Sequence, residues 1–173
     1  MRGEVIRRTR ASGAPEGLPT YEGRNPPSPT DSERAAREHK RPDFYWEIVD
    51  PQEPNDDAAT KTLVVECKRL TPLHDRRWVH TTEYVASGVL RFIHVSHGYG
   101  MHASSGAMVG YLQDVAIEDA LAEVNAVAAA HSVPTIVRDG TGDNPAVLRH
   151  RLRRAFPIDP YRLKHLWIAV ECR

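Results

Sequence analysis

Apolar and polar side chains alternate along two stretches of the chain that lie close together. In "DFYWEIVD", residues 43–50, Phe44, Trp46 and Ile48 fall on one face of an extended strand, and Asp43, Tyr45, Glu47 and Val49 fall on the other. In "TLVVECKRL", residues 62–70, Leu63, Val65 and Cys67 share one face, and Val64, Glu66 and Lys68 share the other. Between them, "PQEPNDDAAT" has the Pro, Asn and Asp of a hairpin loop. The two strands are therefore expected to be neighbours whose mixed faces coincide. The second run is apolar enough to be a buried strand. Burying Glu66 or Lys68 unpaired would cost several kcal/mol or shift its pKa until it neutralised, so both need a reason to be there.

Farther along, the period changes. "TEYVASGVLRFI" places Tyr84, Val85, Gly88, Val89, Phe92 and Ile93 at helical spacing and predicts one core helix. "HVSHGYGMHASSG" reads as loop, "AMVGYLQD" as a strand, and "VAIEDALAEVNAVAAAH" as a helix with Ile117, Leu121, Val124 and Ala128 inward and Asp114 as its cap. "PTIVRD" is a short strand, "GTGDNP" is turn chemistry, and "YRLKHLWIAVEC" closes the chain as a strand. The order β, β, α, β, α, β predicts an α/β (α+β) domain: a mixed sheet flanked by helices. Residues 1–40 read as an N-terminal arm, with a Pro/Gly-rich loop over 11–31 and a short surface helix in "DSERAAREHK". Residues 41–173 are the core domain.

Composition narrows the classes of function. A chain of 173 residues with 40% hydrophobic and 27% charged residues suits one globular domain, expected to be soluble and cytoplasmic, with no secretory signal and no membrane partner. Cys67 and Cys172 are too few for a disulfide framework or a four-thiolate zinc site. The 23 Lys and Arg against 23 Asp and Glu leave no net charge, which argues against coating nucleic acid by bulk attraction. Local patches must do any such work. One is "RHRLRRAF", where Arg149, Arg151, Arg153 and Arg154 form either a phosphate-binding patch or a solvated helix face.

The acidic pair carries the chemistry. Asp43 and Glu66, brought together at one end of paired strands, repel each other unless a cation lies between them. Mg²⁺ prefers oxygen ligands and keeps several waters, so two carboxylates plus phosphate oxygens are a sufficient set. Lys68, two residues on and on the same face, can orient a water, help deprotonate it, or offset transition-state charge. The plainer alternative is an ion pair between Glu66 and Lys68 on an edge strand.

The segments "PDF", residues 42–44, and "VVECKRL", residues 64–70, resemble the PD-(D/E)XK nuclease superfamily, with its restriction-endonuclease-like core. The resemblance covers residues 40–112. It implies phosphodiester hydrolysis, most of all of DNA, dependent on Mg²⁺ or Mn²⁺. It also implies Asp43 and Glu66 as metal ligands and Asp43, Glu66 and Lys68 as the catalytic set. The further acidic residue that many members carry on a preceding helix has only Glu33 and Glu38 as counterparts. Arg91 and the four arginines of "RHRLRRAF" are expected substrate contacts, although Arg91 is also placed to pair with Glu83. The alternative is a nuclease-fold accessory subunit that no longer cleaves and works with a partner protein or a second copy of the chain. A zinc site from His94, His97 and His102 is the weaker reading of the loop "HVSHGYGMH", whose spacing matches no zinc pattern.

Overall fold

The structure, a computed structural model, describes residues 19–21, 41–55, 59–71, 80–156 and 158–170. The expected helix over "DSERAAREHK" lies outside them. The described strands are β1 Pro19–Tyr21, β2 Phe44–Val49, β3 Thr60–Leu70, β4 Ser105–Leu112, β5 Val137–Arg138, β6 Ala146–Leu152 and β7 Tyr161–Ala169. The helices are α1 His80–Ala86 and α2 Ile117–Ala130, with a 3-10 turn at Val89–Phe92. The strands form one mixed sheet in the order β1-β2-β3-β4-β7-β6-β5, in which β3, β4 and β7 run parallel and the other pairs are antiparallel. This is the α/β mixed sheet that the periodicities predict.

The β2–β3 hairpin forms with Phe44 opposite Val65 and Val49 opposite Thr60. Directly paired residues share a face, so Tyr45 and Glu47 lie with Val64 and Thr62, and the mixed faces coincide as expected. It is this mixed face that the helices cover. α1 packs on β3, and α2 packs on α1. Val64, Leu70, Met108, Leu112, Leu163 and Trp167 join Tyr84, Val85 and Val124 in one buried cluster. The more apolar face of the hairpin, with Ile48 and Leu63, is left the more exposed.

Four local expectations are corrected. The loop read over residues 11–31 contributes β1, a strand that begins at a proline and, among the described residues, pairs with β2 alone; the missing N–H of proline is tolerated at the first residue of a strand. The single core helix ends at Ala86, and the chain re-forms as the 3-10 turn after Gly88. A Cβ at Gly88 would lie 2.3 Å from the carbonyl oxygen of Tyr84 and 2.5 Å from Met108 Cε, so the backbone approaches β4 more closely than a side chain allows. Asp114 does not cap α2; Ala116 holds the N-cap position without a side-chain bond. The first half of "RHRLRRAF", to Leu152, is strand β6 rather than a helix face.

β6 and β7 place two histidines in the core. Trp167 Nε1–H donates to Tyr84 Oη at 2.9 Å, so the Tyr84 hydroxyl proton is left for His165 Nδ1, 2.7 Å away. His150 donates from Nε2 to the Pro134 carbonyl at 2.6 Å. Burial holds His150 down at about 4 and His165 well below the ordinary imidazole value. A depressed imidazole contributes stability above its unfolded value near 6.5 and loses it as the pH falls through the folded value. For His150 the interval from 6.5 to about 4 corresponds to roughly 3 kcal/mol. The denaturant midpoint should fall steeply between pH 6.5 and 4, and less steeply in His150→Gln. Parallel pH profiles for the two proteins would contradict this.

Candidate active site

β3 runs on to Leu70, whereas its neighbour β2 begins only at Phe44, opposite Val65. Past that pair no strand among the described residues lies beside this edge of β3. The Asp43 carboxylate takes the first freed donor, accepting the Cys67 backbone N–H at Oδ2 over 2.6 Å. Alternation then turns Glu66 and Lys68 to the helix-covered side, between the β2 and β4 edges. Glu66 is 1% exposed. Lys68 Nζ donates to Glu66 Oε1 at 2.6 Å, and Arg91 Nη1 donates to the same oxygen at 2.7 Å. Arg91 also reaches Tyr99 Oη at 3.4 Å. Glu66 Oε2 is buried with no hydrogen-bond partner among the described residues.

Burial raises the pKa of Glu66, against the attraction of Lys68 and Arg91, and the charge of Asp43 raises it further. The two motif carboxylates are thus close enough to repel. Desolvation, with Asp43 and Glu66 nearby, pushes the Cys67 thiol up to about 11, so it stays protonated at neutral pH. An open hollow of about 660 Å³ adjoins the site, lined by Asp43, Cys67, Lys68, Glu83, Arg91 and Tyr111 among others.

His80 and Ser87 also line this hollow and were not singled out from the sequence, and Glu83 was weighed only as a partner of Arg91. Their signal was present: positions 80, 83, 87 and 91 recur at helical spacing beside the apolar stripe of Tyr84 and Val85. His80 Nδ1 lies 2.6 Å from Thr71 Oγ1, which fixes the ring at the pocket wall. Arg91 bonds Glu66, not Glu83 as the helical spacing suggested.

The four arginines of "RHRLRRAF" separate. Arg149 and Arg151 are exposed on the sheet face away from the helices. Arg153 pairs with Asp159 at 3.0 Å. Arg154 does not face substrate: it is buried, with its guanidinium bonded to the carbonyls of Tyr99, Gly100, Ala103 and Ile158. The expectation of a phosphate contact there is corrected, because those carbonyls and the rings of Tyr161 and Phe156 already surround the cation.

The donor set suits a hard divalent cation held by two carboxylates. Oε2 of Glu66 is a buried acceptor with no partner among the described residues, and the charge of Asp43 acts on the same carboxyl. Among the described residues no group of three His, Cys, Asp or Glu side chains is placed to hold a metal, so water and substrate oxygens would complete such a shell. The same observation gives no support to a zinc site at His94, His97 and His102. No helix among the described residues is long and apolar enough to cross a membrane.

Comparison of the chain with protein-family models, curated proteins and solved structures finds no match in any of the three.

Proposed function

We propose that the protein is a metal-dependent nuclease that hydrolyses phosphodiester bonds, most of all in DNA, and belongs with the PD-(D/E)XK enzymes its motif resembles. The observation that carries this reading is Glu66: a carboxylate driven into the protein, its pKa raised by burial and by the charge of Asp43, with one oxygen unsatisfied among the described residues and the other held by Lys68 and Arg91, which line an open hollow together with Asp43. A buried acid whose pKa is raised, held by residues that line a cleft, supports a site kept for chemistry rather than for stability.

Asp43 and Glu66 would hold Mg²⁺ or Mn²⁺, which supplies Lewis-acid polarisation of the scissile phosphate and a more acidic water. The chain's own residues do the rest. Arg91 and Lys68 on Oε1 favour the ionised form of Glu66 and leave Oε2 as the ligand oxygen. Lys68 is 20% exposed, so its ammonium can leave Glu66 and orient the attacking water or meet charge on the phosphate. Asp43, tied at Oδ2 to the β3 backbone, is held in position before any ligand arrives.

One observation favours a second reading, an accessory module on the same fold that does not cleave. Lys68 and Glu66 are bridged to one another, as a disused site would leave them.

The deciding experiment is cleavage of supercoiled, linear duplex and single-stranded DNA, and of RNA, with Mg²⁺ or Mn²⁺ and with chelator. The nuclease reading expects metal-dependent cleavage of at least one form. No cleavage of any form, by protein that a divalent ion does not stabilise against heat, would overturn it in favour of the accessory module.

A further inference from the structure

The sheet face opposite the helices carries a second arrangement that the acidic site does not use. On β6 and β7, Arg149 lies directly opposite Lys164, and Arg151 directly opposite Arg162. All four are exposed and share this face, since the intervening Leu148, His150, Leu163 and His165 are turned into the core. Like charges directly opposite each other on neighbouring strands are destabilising, so two such pairs stacked together are costly in the free protein. Among the described residues none of the four makes an ion pair with a carboxylate; Arg162 only approaches Ser104 Oγ, at 3.5 Å. In a chain with no net charge, this is a concentrated block of unneutralised cations.

The block is set in a concave surface. A hollow of about 470 Å³ is lined by all four cations and by Val137 and Asp139 at the β5 margin. A second hollow shares Arg162 and Lys164 and continues over Ala107 to Leu63 of β3. The same face then reaches Tyr111, whose ring borders the acidic hollow. Ala107 pairs with Lys164, and Tyr111 stands four residues farther along β4, so the cations and the acidic site lie roughly 13 Å apart along the strand direction. Between and beside them Leu63, Tyr111 and Leu166 are substantially exposed.

We propose that this open sheet face binds a single strand of nucleic acid, with Arg149, Arg151, Arg162 and Lys164 on consecutive phosphates and the bases against the apolar and tyrosine surface leading to the acidic site. Neighbouring strands and alternate residues set the four side-chain roots about 5 Å and 7 Å apart, a spread that serves a polyanion better than one small anion. Apolar and aromatic side chains beside a cationic track suit unpaired bases, whose faces are free to stack, whereas the stacked bases of a duplex are not. Binding follows from the charge and topology of the face alone. That the bound strand is also the substrate rests on the nuclease reading above.

The test is fluorescence anisotropy in chelator, so that the metal site plays no part, with labelled single-stranded DNA, single-stranded RNA of the same sequence, and the duplex. The wild type should bind single strands in preference to duplex, and the two single-strand arms show whether the sugar matters. Arg149→Ala with Arg151→Ala should flatten the plot of log affinity against log salt by about 1.4, and the fourfold alanine variant by about 2.8. Melting temperature should not fall in either variant, because opposed like charges have been removed. The single change Arg151→Glu gives the same reading if the fourfold variant is hard to produce, with weaker binding and a shallower slope expected. Unchanged affinity and slope in these variants would overturn the proposal. So would loss of self-association on light scattering with oligonucleotide binding intact, which would make the face a protein interface. Preference for the duplex would overturn the single-strand assignment. Chelator-insensitive binding without cleavage in Mg²⁺ would sink the nuclease reading and leave this one standing.

Discussion

Glu66→Gln should lower metal-dependent cleavage about a hundredfold or more without lowering the melting temperature at neutral pH. Both halves follow from one property. Burial raises the folded-state pKa of Glu66 above the unfolded value of 4.5. A group shifted in this direction contributes stability below its unfolded pKa and loses it as the pH rises through the folded value. At neutral pH the carboxyl therefore weighs against the fold, and a glutamine, whose carbonyl can still accept from Lys68 and Arg91, removes that burden. The stability difference between the variant and the wild type should grow from about pH 4.5 upward. A divalent ion should raise the melting temperature of the wild type and not of the variant, since only a ligand that prefers the native state stabilises it. Lys68→Ala should cost a comparable loss of activity while Arg91 keeps its bond to Oε1. Full activity in Glu66→Gln, or a clear drop in its melting temperature without metal, would mean that the buried carboxylate is structural.

Arg154→Met is expected to destabilise the protein by about 3 kcal/mol or more, the largest effect on stability of any change at an arginine of the "RHRLRRAF" segment. The guanidinium donates to Tyr99 at 3.1 Å, to Gly100 and Ala103 at 2.9 Å and to Ile158 at 3.0 Å, and stacks 3.7 Å from the Tyr161 ring centre. Burial brings its pKa down only to about 10, so it remains charged at neutral pH. Methionine fills much of the volume but leaves buried carbonyls without donors. Three of those carbonyls, of Tyr99, Gly100 and Ala103, belong to the loop that carries Tyr99, and Tyr99 touches Arg91 of the acidic site. Arg154→Lys should fall between the two, keeping the charge but losing the planar fork. Denaturant titration measures the difference. A wild-type midpoint in Arg154→Met would show that the loop holds itself. Arg151→Met, at an exposed position, should leave the midpoint within about 0.5 kcal/mol of wild type.

The strands with clear alternation were legible in the sequence, and so was the pairing of β2 with β3 in a hairpin. A hairpin loop joins the two strands, and side chains in a strand repeat every second residue; once the hairpin forms, the parity of positions 43, 66 and 68 places them on one side. The α2 helix was legible for the same kind of reason, its period agreeing with its burial. Period alone misread the segment from Thr82 to Ile93. It runs on through Gly88, but the close approach of Met108 from a distant strand divides it. β6 was missed because its arginines and histidine mask an alternation in which Leu148, His150 and Leu152 go inward.

What the chain by itself determined is parity: which residues travel together on a face. What the tertiary structure alone decided is which face is covered. The more apolar side of the β2–β3 hairpin, with Ile48 and Leu63, is the more open one, and the mixed side carrying Glu66 lies under α1 and α2. It also decided the fate of neighbouring arginines, with Arg149 and Arg151 outward, Arg153 on Asp159 and Arg154 sealed among carbonyls of the loop before β4. The reason is physical. Alternation is a local property of the backbone, whereas the side on which a helix lands and the groups that surround a cation depend on contacts between segments far apart in the chain.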